Sequence, residues 1–204
     1  MKILGITGPS GSGKTTLCGI LEKTYGAKII DADKVARGLS SNKDSEYFKE
    51  MKELFGEGVL KEDGFLNRKK VAHIIYTNKA KRKALNKLTF KYVADEILAK
   101  LDKLKKDNTK LVAIDVPLLY EAKMEDVCDK VIAVIANDKE KIARICLRDG
   151  IDEETAKQRL EIQNANSFFV KRADFVIKND KTIDNLASSL KEILDKIWEN
   201  GFQE

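Results

Sequence analysis

The 204-residue chain has one histidine, His73, and three cysteines, Cys18, Cys128 and Cys146. No two cysteines form a Cys-x-x-Cys pair. Zinc sites need clustered Cys and His ligands, so a metal–thiolate centre is excluded. Reduced thiols packed in a cytoplasmic protein are the expectation, and His73 reads as a packed or partly exposed helix residue. No apolar run approaches the roughly 20 residues of a membrane span. The opening Met1-Lys2-Ile3-Leu4-Gly5-Ile6-Thr7 lacks the small-residue cleavage site of a secretory signal. No internal repeat, low-complexity segment or nucleic-acid module is present. Aromatics are only 7% and are not interleaved with a dense Lys/Arg run. Neither a membrane nor a nucleic-acid partner is therefore expected.

What remains is a highly charged globular chain. Charged residues reach 35%, yet hydrophobic residues still make up 43%, too many for a disordered protein. The 38 Lys+Arg exceed the 33 Asp+Glu by five, a modest bias that favours anionic ligands. Short apolar, β-branched runs alternate with helical patterns at both ends of the chain. Lys2 to Thr7, Ala27 to Ile30, Leu111 to Val116, Lys130 to Ala136 and Phe175 to Lys178 read as buried parallel strands. Helices are predicted from Lys14 to Tyr25 and from Thr182 to Trp198. No strand is predicted between Ser41 and Lys106. There the pattern gives helices over Ser45 to Phe55, from an Asn67 N-cap to Tyr76, and over Lys79 to Lys106. A second helical excursion, Lys139 to Val170, separates strands four and five. The fold class is α/β with a five-stranded parallel sheet. Residues 1–40, 107–138 and 171–204 form its core, 41–106 a helical insertion, and 139–170 a second helical segment.

The sharpest local signal is Gly8-Pro9-Ser10-Gly11-Ser12-Gly13-Lys14-Thr15, followed by Thr16. It fits G-x-x-x-x-G-K-[ST] in full and sits between a strand and a helix, the context the motif requires. Glycines let backbone amides turn inward around phosphate oxygens, and the helix N-terminus adds unpaired N–H groups. Lys14 would reach the β- and γ-phosphates of ATP, and the Thr15 hydroxyl would ligate Mg²⁺. Three carboxylates are candidate partners. Asp31 and Asp33 close the second strand, where alternation would put both on one side. One could take the proton of an attacking hydroxyl and the other could bind substrate or metal-bound water; alternatively, either one caps the helix beginning at Lys34. Asp115 interrupts the apolar third strand, either as a Walker-B-like Mg²⁺ partner or within an ion pair. Arg144 and Arg148 share a helix face and suit charge on a moving phosphoryl group, if they are not plain surface residues.

Taken together, the motifs resemble the dephospho-coenzyme A kinases, a family of P-loop kinases. The resemblance runs from Ile6-Thr7-Gly8 through Thr16, then Ile30-Asp31-Ala32-Asp33 to Arg37. It continues with Phe55-Gly56, Asp63-Gly64-Phe65-Leu66-Asn67-Arg68 and Asp115-Val116-Pro117-Leu118-Leu119-Tyr120-Glu121. Arg148-Asp149, Gln158-Arg159-Leu160 with Gln163, and Ala173 to Asn179 complete it, covering about residues 1 to 180. The chain departs from the family at Thr89-Phe90, where His-Pro is usual, and no site residue is taken from there. The resemblance implies a three-layer α/β/α P-loop fold with a helical substrate-binding insertion and a helical lid. It implies ATP and dephospho-coenzyme A as substrates and phosphoryl transfer to the ribose 3′-hydroxyl. Asp33 would be the base, Asp31, Asp33 and Arg68 would face the acceptor, and Asn179 would lie at the adenine of ATP. Another P-loop kinase, of a nucleoside, nucleotide or small metabolite, would share the loop but need not share the remaining motifs. A GTPase-like switch would carry N-K-x-D, and Asn78-Lys79-Ala80-Lys81 lacks the aspartate.

Overall fold

A computed structural model describes residues 1–199, so the last part of the predicted core segment, 200–204, lies outside the described residues. The chain forms a five-stranded parallel sheet in the order β2-β3-β1-β4-β5. The strands are β1 (Lys2–Thr7), β2 (Lys28–Asp31), β3 (Leu111–Asp115), β4 (Lys130–Ile135) and β5 (Phe175–Lys178). Contacts divide the chain into two units, one of residues 1–29 and 109–204, the other of residues 30–108. No described helix is long and apolar enough to cross a membrane.

In the first unit, strand alternation sorts side chains onto two faces. Leu4, Ile6, Leu111, Ala113, Ile132, Val134 and Ile177 pack with Leu17, Cys18 and Leu21 of α1 (Lys14–Tyr25). Leu186, Leu190, Ile193 and Leu194 of α9 (Ile183–Glu199) complete that cluster. On the other face, Gly5 lies close to Leu119, Cys128 and Val131, so a side chain there would strike the Cys128 sulfur. Burial pushes the Cys128 thiol up to about 12, with Asp129 and Glu125 adding to the rise. Its reactive thiolate is therefore scarce at neutral pH. Between β4 and β5 the chain forms α6 (Asp138–Asp149), α7 (Glu153–Glu161) and the short α8 (Asn166–Val170). The three cysteines are free thiols.

In the second unit, α2 (Ala32–Ser40), α3 (Glu46–Phe55), α4 (Arg68–Thr77) and α5 (Lys79–Lys106) follow one another. Their core is Tyr47, Phe48, Met51, Val59, Leu66, Val71 and Leu88. Short polar caps define the helix starts. Ser45, Asn67 and Asn78 accept from the backbone N–H of Phe48, Lys70 and Lys81, each satisfying an otherwise orphan donor. The Asp63-to-Arg68 motif is legible as local structure. Gly64 takes a positive φ of 76° at a turn, Leu60 bridges Leu66, Leu66 is buried, and Asn67 caps α4. Along α5, Val93 is buried, and the half-buried Tyr92 packs against this core while its hydroxyl donates to Glu50.

Candidate functional site

The phosphate loop joins the C-terminal end of β1 to the start of α1. β1 lies between β3 and β4, so the loop sits at the point where the strand order reverses, the usual ligand position in an open parallel sheet. Gly13 caps α1 in the left-handed region, with φ 103° and no side-chain cap, which leaves the helix N-terminus open for an anion. Gly8 has φ 137°, and a Cβ there would lie 2.0 Å from the Val134 carbonyl oxygen. The loop is thus pressed against β4 as well as bent. Gly8→Ala is expected to lower the melting temperature by about 5 °C or more, combining backbone strain with the clash. A thermal melt indistinguishable from wild type would show that the loop can move off β4 at no cost.

Lys14 is 9% exposed, and its ammonium donates to the carbonyls of Gly8 at 2.8 Å and Pro9 at 3.0 Å. The side chain therefore spans the loop from the helix start to the strand end. Thr15, one residue on, is exposed. Asp115 ends β3 and pairs in register with Ile6 of β1, and the Thr7 hydroxyl donates to the Pro117 carbonyl at 3.3 Å. β1, which leads into the loop, and β3, which ends at Asp115, are thus adjacent parallel strands. Among the described residues, no three His, Cys, Asp or Glu side chains group as a metal site. One hydroxyl and one carboxylate, both hard oxygen donors, still suit Mg²⁺, which binds through one or two carboxylates and substrate phosphates and keeps several waters.

The segment between β4 and β5 closes against the loop. Gln163 accepts a hydrogen bond from the Ser10 backbone N–H at 2.8 Å, and Arg148 donates to the Ser10 hydroxyl at 3.3 Å. Arg148 also forks onto both carboxylate oxygens of Asp149, at 2.7 and 2.9 Å, and Arg159 donates to the same group. The Arg148 hydrogen bonds, followed by its charge and that of Arg159, hold Asp149 below the usual carboxylate range against the opposing effect of burial. Arg144 reaches the carbonyls of Gly11 at 3.3 Å and Ser12 at 3.4 Å, and Asn179 is buried beside them. Two participants carry no role in the sequence reading. Lys141 is 4% exposed and ties Asp138 to Asn166, and its backbone carbonyl would lie 2.5 Å from a Cβ on Gly11. Gln163 enters there only through its place in a motif. An Asp–Lys pair at i,i+3 and a helix-end glutamine are ordinary in any charged helix, so local sequence had no signal for either.

In the second unit, Asp31 and Asp33 do not share an extended face. β2 ends at Asp31 and α2 begins at Ala32. Asp31 is the N-cap, accepting from the Lys34 N–H at 2.9 Å, which matches the alternative reading given for it. Strand alternation fails because the cap turns the chain helical at Ala32, two residues before Lys34. Asp33 stands in the first helical turn and is exposed. Arg68 is the first residue of α4 and donates to the Arg37 carbonyl and to the hydroxyls of Ser40 and Ser41 at 3.0 to 3.3 Å. It joins the start of α4 to the end of α2.

A parallel sheet with a glycine-rich loop, an adjacent acidic strand end and arginines from a helical excursion define a P-loop kinase. The chain is matched over residues 2–185 by the family model for dephospho-CoA kinase. It is 34% identical over 199 residues to a dephospho-CoA kinase of Oryza sativa subsp. japonica, covering 98% of this chain and 86% of that one. A crystal structure from Thermus thermophilus aligns with a TM-score of 0.78 at 30% identity, covering 96% and 97% of the two chains. A dephospho-CoA kinase from Campylobacter jejuni aligns with a TM-score of 0.67 at 28% identity, covering 98% and 99%. The chain belongs to the dephospho-CoA kinase family.

Proposed function

We propose that the protein transfers the γ-phosphoryl group of ATP to the ribose 3′-hydroxyl of dephospho-coenzyme A, the final step of coenzyme A synthesis. The observation that carries this reading is the family match across residues 2–185, which includes both the phosphate loop and the motifs that follow it. In the reaction, the bond between the acceptor oxygen and the γ-phosphorus forms as the bond to the β-phosphate oxygen breaks. ADP leaves, and the hydroxyl proton passes to a carboxylate. By family analogy that carboxylate is Asp33, exposed in the first turn of α2. The loop from Gly8 to Thr16 holds the phosphates through backbone N–H groups at its helix end, Pro9 having none to give, together with the Lys14 ammonium. Arg144 and Arg148 bring positive charge to the loop from the lid. Asn179 stands on the ATP side, and Asp31, Asp33 and Arg68 on the acceptor side. Mg²⁺ would be held by Thr15 and Asp115 and would neutralise phosphate charge when bound. Residues 41–106 are assigned to the acceptor, 139–170 to the lid, and the remainder to the nucleotide core. Free thiols and the metabolic role support a cytoplasmic location.

The test is an ATP-consumption assay with dephospho-coenzyme A beside a panel of nucleosides, nucleotides and small metabolites. Turnover with dephospho-coenzyme A and little with the panel is the expected result. Turnover only with a panel member would replace the acceptor assignment by another P-loop kinase activity.

A further inference from the structure

Asn179 follows β5 and is 8% exposed. Its N–H donates to the Ile135 carbonyl at 2.8 Å, extending the pairing of β5 with β4 by one residue. Its carbonyl accepts from Arg144 Nη2 at 3.0 Å. Its side-chain amide Nδ2 donates to the Ser12 carbonyl at 2.8 Å, across 167 residues of sequence. Arg144 works on the same peptides. Nη1 donates to the carbonyls of Gly11 and Ser12, and Nη2 also meets Glu140 at 3.2 Å. A Cβ on Gly13 would lie 2.1 Å from Asn179 Nδ2, so the amide approaches the glycine too closely for any side chain there.

The consequence follows from the trans peptide. In a trans peptide the carbonyl of one residue and the N–H of the next point in opposite directions within the peptide plane, and no cis peptide occurs among the described residues. Pulling the Ser12 carbonyl toward Asn179 and Arg144 turns the Gly13 N–H the other way. Holding the Gly11 carbonyl does the same for the Ser12 N–H, which points back to the Pro9 carbonyl at 3.3 Å. The Gly13 N–H, a donor that a phosphate needs, is therefore aimed from behind, by two side chains that spend their own donors on loop carbonyls.

We propose that Asn179 is a positioning residue for the phosphate loop, acting with Arg144 to aim the Gly13 N–H at the phosphates, and not a reader of the adenine base. This rests on the reading that the loop binds ATP. Its one recorded side-chain donor contact goes to the loop, which ties its effect to the phosphate end of the nucleotide. Arg144 shares that task through contacts already made in the loop.

The experiment uses the full-length protein with Asn179→Ala, Asn179→Asp and wild type. It measures the ATP dependence of turnover and the inhibition constants of ADP and adenosine. In Asn179→Ala, KM for ATP and Ki for ADP should rise about tenfold, the size of one buried hydrogen bond lost. The Ki of adenosine and the KM of dephospho-coenzyme A should stay within about twofold of wild type, far below that change. Asn179→Asp, which sets a carboxylate against the Ser12 carbonyl, should be worse than alanine for ADP. An equal loss for adenosine and ADP would assign Asn179 to the base and overturn the proposal. Unchanged ADP inhibition would overturn it as well. If Asn179→Ala melts below the assay temperature, Asn179→Ser, whose hydroxyl is one atom shorter than the amide reaching Ser12, carries the same comparison. Failure of wild type to bind ATP or ADP at all would instead sink the phosphate-loop reading on which the proposal depends.

Discussion

Lys14→Ala is expected to reduce turnover by about 10² to 10³-fold, the cost of removing one preorganised donor to a developing phosphate charge. The ammonium is buried and already bridges the carbonyls of Gly8 and Pro9, so its stem and charge are fixed before any nucleotide arrives. Alanine removes both the charge and the brace across the loop. The loss should therefore show in kcat and in the affinity for ATP together. The strand core beneath the loop, with Leu4 and Ile6 nearly or fully buried, does not depend on Lys14. Secondary structure by circular dichroism should be retained. The measurement is steady-state phosphorylation of dephospho-coenzyme A with both substrates varied. A Lys14→Ala protein with wild-type kcat and KM would eliminate the phosphate-loop assignment.

Asp33→Asn is expected to lower kcat by about 10² to 10⁴-fold, the range that general base catalysis supplies. Asparagine keeps the shape and removes the proton acceptor. Asp33 is exposed in the first turn of α2, and the cap of that helix is Asp31, which accepts from Lys34 N–H. Stability should change by no more than about 0.5 kcal/mol, as for surface positions that make no special contact. Some of that change is the lost attraction between an acidic side chain and the helix N-terminus. ATP affinity should be nearly intact because Asp33 is assigned to the acceptor proton. Single-turnover rates and a thermal melt of the same sample check both halves. Full activity in Asp33→Asn would remove Asp33 as the base. The equivalent change at Asp31 acts differently, because a lost cap costs about 1 kcal/mol of stability.

Much of the site could be read from the chain alone because its signals are short-range. Gly8-x-x-x-x-Gly13-Lys14-Thr15 between a strand and a helix specifies where the backbone must turn, and Gly8 and Gly13 do take positive φ. Apolar runs at Leu4 to Thr7 and Leu111 to Ile114 are buried in the sheet. Asn67 caps α4 as its position before the helical pattern predicts. The Asp31–Asp33 pair was legible only as alternatives. Whether an aspartate closes a strand or caps a helix is decided by one residue of register, and in the structure the helix starts at Ala32.

The sequence by itself determined the elements, the phosphate loop and, through ordered motifs, the family. These depend on spacings of two to eight residues, where steric limits on φ and the periods of helix and strand act directly. Tertiary structure alone decided what holds the loop in shape. Asn179 reaches Ser12 across 167 residues, Gln163 reaches Ser10 across 153, and Arg144 reaches Gly11 across 133. No local propensity encodes such pairs. They arise because β4 and β5 run parallel beside β1, which brings the ends of three distant segments to one edge of the sheet. There the loop's carbonyls, left without partners by its irregular path, take the nearest amide and guanidinium donors.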